Sequence, residues 1–449
     1  MVMEDLERKL LKHCSGSFIY SVLSYLILVY HAHLWKVKGK FMNNNPLLSV
    51  ADVRSYIENY LKQLFVEPIA IVTNNGKYLL NNAISFPIYD FWNKNDRDLL
   101  NDFEDFSFKG DYIGTIFFFL SGYWEYTHND IKDRYGRFPS TESFSCKKGI
   151  LEEPVVDILV ERIREELGFT YKDNKPKAFV THDVDHLWLP KGFAVIRSLA
   201  GDIIVRRDPK LALDRIKRKI AGNDPWSVYN LIDLHKKNGT RGTFFFLAEK
   251  QPGLFSNGYN VIENEGYLRD LAKAISSIDG KIGLHYDIRH LDENRMKKDV
   301  DRLSYVFNRK IEFGRAHYLL FDVARSFDIY EKAGIKFDST CSFSDAVGFR
   351  FGTSKPFRPY NFREKREYNL IEIPLIVMEG TLRYSECTKK SPEIGFEKIK
   401  QLTERVKRYN GTFTFLWHNS SFYVTEWRDW EWVYNETILY LKKSDFEFI

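Results

Sequence analysis

The sequence predicts an α/β protein, a (β/α) barrel of about seven strands preceded by a smaller α/β domain. Two observations predict it. From Lys177 to the C-terminus, short apolar runs alternate with amphipathic stretches at a spacing that gives βα units, hence a parallel sheet with enough units to curl into a closed or nearly closed barrel. Ahead of Lys177 the order is less regular, and the polar stretch Tyr171–Lys177 reads as a linker. The domains expected are 1–150, an N-terminal α/β domain of open role; 151–176, a helix and linker; and 177–449, the barrel.

Taken in order, Leu6–Trp35 and Ser49–Gln63 read as helices. Within the first, Phe18–Trp35 is apolar-rich, but Ser21, Ser24, His31 and His33 interrupt it and no small-residue cleavage site follows. A membrane span needs roughly 20 nearly uninterrupted apolar residues, so the expectation is a buried amphipathic helix without stable membrane insertion. Short strands follow around Ile69–Val72 and Ala83–Tyr89, then an Asn- and Asp-rich loop over Asn93–Asp105. Tyr112–Tyr126 suits a buried helix, although its Phe run also suits a strand; Pro154–Leu167 is an amphipathic helix. The barrel strands expected are Ala178–Asp183, Gly242–Leu247, Lys281–His285, Ile311–Tyr318, Ile335–Ser339, Asn369–Val377 and Thr412–Trp417, with Phe446–Ile449 closing the set. Helical patterns lie between them, for example Asn264–Ser277 and Phe396–Tyr409.

The chain has 449 residues, 44% hydrophobic and 28% charged, the composition of a soluble globular protein. A net charge of +5 over this length makes no case for a nucleic-acid partner, and basic runs such as Arg215–Lys219 read as solvated helix faces. Most of the 36 Phe and 26 Tyr must fill core, while some suit stacking on sugar faces. Cys14, Cys146, Cys341 and Cys387 are too scattered for a disulfide framework or a zinc knuckle. They fit a reducing compartment, and a cytoplasmic protein is expected.

In such a barrel, reactive groups sit where strands end. Asp183 and Asp185 end the first strand and, spaced by one residue, leave it on the same face. Two carboxylates converging on one point repel unless a cation lies between them or one holds a proton; capping of the next segment is the plain structural alternative. His285 ends another strand, with His290 five residues on. Arg315, His317 and Tyr318 end the next, and His418 the last long one. One Asp and two His form a common facial set for a divalent metal that keeps open positions for water and substrate. Asp185, His285 and one further histidine could supply it. Asp183 could then take a proton from the attacking water, and His418 give one to the leaving group.

These motifs resemble the NodB-homology polysaccharide deacetylases, carbohydrate esterase family 4, over roughly Lys177 to the C-terminus. Thr181-His-Asp-Val-Asp185 is similar to the family's first motif, Gly242-Thr-Phe-Phe245 to the strand after it, and His285 to the first histidine of the second. Arg315-Ala-His-Tyr-Leu319 is similar to the third motif and Leu416-Trp-His418 to the last. The resemblance implies a deformed, TIM-like barrel with Asp183 as general base, Asp185, His285 and His290 as metal ligands, Arg315 orienting the catalytic acid, the Tyr318 N–H holding the oxyanion and His418 as general acid. Two departures stand out. The second motif usually spaces its histidines by four, but Arg289 stands there and His290 follows. The third usually has proline where this chain has His317, which could add a ligand, contact substrate or be structural. Residues Asp111 through Phe119–Tyr126 to Gly136-Arg-Phe-Pro139 also resemble an N-terminal domain found ahead of deacetylase-like domains in bacterial proteins.

The function expected is a metal-dependent hydrolase that removes acetyl groups from an N-acetylated sugar or polysaccharide, water activated by the metal attacking the acetyl carbonyl. Zinc leads as the metal, with cobalt, nickel or manganese as alternatives. The partner expected is an acetylated carbohydrate, for which His317, Trp417 and Tyr286 are candidate contacts. The alternatives are a hydrolase of a non-sugar amide or cyclic imide, and a catalytically silent sugar-binding barrel.

Overall fold

The computed structural model describes residues 46–449 except 190–194, 196–198, 206, 221, 223, 251–257, 288–290, 385–390, 423–426 and 428. The helix expected over Leu6–Trp35 and the candidate ligand His290 lie outside the described residues.

Ser49 opens the first described helix, Val50–Leu64, with a capping box. Its hydroxyl accepts from the Asp52 N–H at 3.3 Å, and Asp52 Oδ2 accepts from the Ser49 N–H at 2.9 Å. An antiparallel meander follows: β1 (Ile71–Asn74), β2 (Lys77–Leu80) and β3 (Ile84–Pro87). Asn75 and Gly76, with φ of 47° and 71°, form its first turn, the backbone a two-residue hairpin needs. A short hairpin, β4 (Phe103–Glu104) with β5 (Ser107–Phe108), leads into the apolar segment. That segment forms two helices, Tyr112–Leu120 and Tyr123–Thr127, not one. Between them Gly122 has φ 66°, and a Cβ there would lie 2.8 Å from the Phe351 ring, so the break needs glycine on both counts.

The larger sheet is parallel throughout, in the order β13-β10-β9-β8-β7-β6-β15-β14, with β16 also paired to β6. Its strands are β6 (Lys177–Val184), β7 (Thr243–Leu247), β8 (Lys281–Tyr286), β9 (Phe313–Ala316), β10 (Phe337–Asp338), β13 (Ile371–Glu372), β14 (Val377–Met378), β15 (Thr412–Leu416) and β16 (Glu447–Phe448). A small hairpin, β11 (Tyr360–Asn361) with β12 (Arg366–Glu367), lies outside it. Helices connect the strands, among them Val228–Asn238, Glu265–Ser276, Glu293–Phe307 and Pro392–Arg408, so the sheet curls into a (β/α) half-barrel. The single strand expected over Asn369–Val377 is instead β13 and β14 on either side of Pro374, which has no N–H for the ladder. No helix of the described residues is long and apolar enough to cross a membrane. Cys146 and Cys341 are free thiols.

One apolar core runs from Leu48 through the N-terminal region into the barrel as far as Leu370. Phe117 packs on Tyr360 at 4.9 Å between ring centroids. The Asp157 carboxylate, fully buried, accepts from Thr353 Oγ1 at 2.6 Å and from the Ser354 N–H at 2.9 Å. Arg350 forms a buried ion pair with Glu125. A chain beginning at Lys177 would strip Arg350 of its partner, and breaking a buried pair costs about 3–5 kcal/mol, a large part of the roughly 5–15 kcal/mol that holds a domain together. Such a fragment is therefore expected to be insoluble or to melt without cooperativity. A soluble fragment with a sharp thermal transition would show instead that the barrel folds independently.

Candidate metal centre and active site

Each chemically competent side chain at the rim follows from strand geometry. Successive residues of a strand face opposite sides, so Thr181 and Asp183 share one face of β6 and Asp185, just past its end, continues the alternation, while His285 stands next to last in β8 and Arg315 sits on β9 facing the same interior.

Arg315 is fully buried and all its polar contacts lie within the barrel. Its Nε donates to the Ser339 carbonyl at 2.7 Å and its Nη2 to Ser339 Oγ at 2.8 Å. Its Nη1 donates to Thr181 Oγ1 at 2.7 Å and to Asp183 Oδ1 at 3.1 Å, and the guanidinium stacks over the Phe245 ring at 4.6 Å. One oxygen of Asp183 is thus held by a charge-assisted bond. The other, Oδ2, faces His285 Nε2 at 3.6 Å and His418 Nε2 at 3.9 Å.

His285 donates Nδ1–H to the Arg315 carbonyl at 3.0 Å, which fixes its tautomer and leaves the Nε2 lone pair pointing inward. That nitrogen lies 3.4 Å from Asp185 Oδ1, and His317 Nε2 lies 3.6 Å from the same oxygen. Ligand atoms of Asp185, His285 and His317 all fall within 4.8 Å of one another, and all three residues are buried. Asp185 Oδ1 and His285 Nε2 have no hydrogen-bond partner. Buried polar atoms are rarely left so; a divalent cation would satisfy them, and a carboxylate with two imidazoles is a suitable donor set. Burial alone would raise the Asp185 carboxyl, but His317 and His285 beside it hold it well below the usual carboxylate range.

Across the rim, His418 is gripped by Glu379, a residue the sequence reading did not single out. Glu379 Oε1 accepts from the His418 backbone N–H at 2.9 Å, from its Nδ1 at 2.6 Å and from Ser421 Oγ at 2.6 Å. Burial opposes charge on His418, yet Glu379, with Asp185 and Asp183 farther off, lifts its pKa to about 10. Behind Asp183 lies a second feature not anticipated. His182 donates from Nδ1 to the Trp417 carbonyl at 2.8 Å, and its Nε2 meets His235 Nε2 at 2.9 Å, whose Nδ1 in turn meets Thr240 Oγ1 at 2.8 Å. Burial pushes His182 down to about 4 and His235 well below the usual imidazole range, so both rings are neutral.

The structure therefore brings together Asp183, Asp185, His285, Arg315, His317 and His418, with Tyr318 directly after His317. His317 stands among the candidate metal donors rather than out on the cleft wall. Tyr286 and Trp417, expected as sugar contacts, are corrected to core positions. Each neighbours an inward histidine and so points to the opposite face. Tyr286 is fully buried, bonded to Asp338 Oδ1 at 2.8 Å and packed on Tyr330. Trp417 is fully buried among Phe415, Phe422, Trp427 and Tyr434.

Comparison with known proteins adds two findings. Residues 15–172 match the DUF7033 family of unknown function, and no curated protein matches the chain. Among solved structures, the fold is similar to a chain designated a polysaccharide deacetylase from Mycobacterium smegmatis, at 15% identity and a TM-score of 0.40, covering 62% of this chain and 88% of that one. It is similar to an allantoinase at 10% identity and a TM-score of 0.40, with the same coverage. A family 4 carbohydrate esterase from Streptomyces lividans in complex with acetate is similar at 12% identity and a TM-score of 0.29, covering 61% of this chain and 91% of that one.

Proposed function

We propose that this chain is a metal-dependent hydrolase that removes acetyl groups from an N-acetylated sugar or polysaccharide. The observation that carries the reading is the buried donor set of Asp185, His285 and His317, in which Asp185 Oδ1 and His285 Nε2 have no hydrogen-bond partner, beside an acid–base pair, Asp183 and His418. Zinc suits the set best, with cobalt, nickel or manganese as alternatives. When bound, such a cation supplies Lewis-acid activation of water and of the acetyl carbonyl.

The remaining roles belong to the chain. Arg315 anchors Asp183 through Oδ1, so that Oδ2 is presented to the centre and takes the proton of the attacking water. The Tyr318 N–H contributes to holding the developing oxyanion. His418, aligned by Glu379 through Nδ1, delivers a proton from Nε2 to the departing amine.

A panel of N-acetylated sugars, simple amides and cyclic imides, assayed with the zinc-loaded protein, tests the substrate class. Release of acetate from the sugars supports the reading; ring opening of the imides alone would move the substrate class while keeping the machinery. Asp183→Asn is expected to bind zinc as the native chain does while losing roughly a hundredfold or more in turnover. Metal analysis alongside kcat checks this, and loss of zinc in this variant would make Asp183 a ligand and remove it as the base.

A further inference from the structure

Tyr318 and Leu319 have φ of 60° and 52°. Two consecutive non-glycine residues in the left-handed region, directly after a candidate metal ligand, persist only where the surroundings hold them. Part of the hold is internal to the barrel. Leu320 N–H donates to the His317 carbonyl at 3.2 Å, the Ala316 N–H donates to Thr340 Oγ1 at 3.0 Å, and Leu319 is buried against Leu375 and Leu416.

The rest comes from the N-terminal region. Arg137 Nη1 donates to the Tyr318 carbonyl at 3.2 Å. The Tyr135 ring lies parallel to that of Tyr318, at 5° and 6.4 Å between centroids, and is flanked by the guanidiniums of Arg134 and Arg137, each at 4.7 Å. Arg137 is itself fixed by Asp133, whose Oδ2 accepts from its Nε at 2.9 Å and whose Oδ1 accepts the N–H groups of Tyr135 at 2.8 Å and Arg137 at 2.9 Å. The loop is fastened to the barrel on both sides, by Asn129 to Asp322 at 3.1 Å and by Ser140 to Asp345 at 2.9 Å.

We propose that the loop Asp133–Arg137 of the N-terminal region is a working part of the active site, with Arg137 a positioning residue that clamps the turn His317–Leu319. The clamp sets where the His317 ring meets the metal position and how the Tyr318 peptide faces it. This inference rests on the metal-hydrolase reading above, but its test separates the two.

The experiment uses the full chain. Zinc dissociation constants are measured by competition with a chromogenic chelator for the native protein, Arg137→Ala, Arg137→Lys and Asp133→Asn, together with kcat, KM and melting temperature. Arg137→Ala is expected to bind zinc about tenfold or more weakly, the scale for removing a group that orients a ligand, and to lose kcat more than it raises KM. Arg137→Lys should recover part of the affinity, and guanidinium added to Arg137→Ala should restore it. If Arg137→Ala does not fold, Asp133→Asn, which keeps the guanidinium but loosens it, carries the same expectation. A variant with a lower melting temperature but native zinc affinity and native kcat would overturn the proposal, leaving Arg137 a structural contact only. A native chain that binds no zinc would overturn the hydrolase reading itself, and this inference with it.

Discussion

Alanine at Asp185, His285 or His317 is expected to empty the metal site and abolish hydrolysis together. Each change removes one of three buried donor groups lying within 4.8 Å of one another. Losing a direct ligand should cost more than the roughly 10–100-fold in affinity that follows from losing a group which only orients one. The three variants should differ in stability. His285→Ala also removes a donor from the Arg315 carbonyl, which now accepts the His285 Nδ1–H, while Asp185→Ala removes the carboxylate that His317 and His285 stabilise in its ionised form. His317→Ala is the most informative of the set, because the family resemblance assigns the third ligand to His290. With His317 as the third donor the carboxylate and two imidazoles would complete a facial set, so His290→Ala is expected to retain metal. Metal content per chain after dialysis, measured beside kcat/KM, decides it: full occupancy in His317→Ala with loss in His290→Ala would return the third position to His290.

Much of this arrangement was legible in the chain, for identifiable reasons. The alternation of apolar runs with amphipathic stretches after Lys177 gave the parallel sheet, since buried parallel strands and their crossover helices differ in period. The rule that reactive groups gather at strand ends led to Asp183, Asp185, His285, Arg315 and His418. The same rule reaches Glu379, which follows directly on the Val377–Met378 strand, but a lone acid at that place gives no sign of its partner until the fold sets it against His418. Parity could have removed Tyr286 and Trp417 from the cleft, because each adjoins an inward residue and must face the other way. Asn75-Gly76, a hairpin signal after the first expected strand, could have revealed β2, which was not among the expected strands. What could not be read is long-range: the pairing of Asp157 with Thr353 and Ser354, of Glu125 with Arg350, and of Arg137 with the Tyr318 carbonyl joins positions with no sequence relation. These contacts make the N-terminal region part of the barrel's core.

Glu379→Gln is expected to move the alkaline limb of the pH–rate profile downward, and this follows from which form of His418 works. A general acid must be protonated, so the rate falls as pH rises through the pKa of His418. In the native chain Glu379 accepts from Nδ1 at 2.6 Å and, against the opposing effect of burial, lifts His418 to about 10. His418 is then charged across the neutral range and the alkaline limb lies high. A cation bound at Asp185 would cancel part of the attraction from the two aspartates, but native and variant proteins carry the same metal, so their difference isolates Glu379. Loss of one opposite charge in contact typically shifts a pKa by about 1–3 units, and in Glu379→Gln the shift is downward. Activity toward N-acetylated sugar should therefore fall most near pH 9 and little at pH 6. An aryl acetate, whose phenolate departs without a proton, should lose little at either pH. The conservative variant Glu379→Asp, with a shorter reach but the same charge, should keep more of the native profile. Identical limbs in native and Glu379→Gln protein would mean that His418 is not the proton donor, and equal losses on amide and aryl ester would mean that Glu379 supports the fold of the rim and not the protonation of the leaving group.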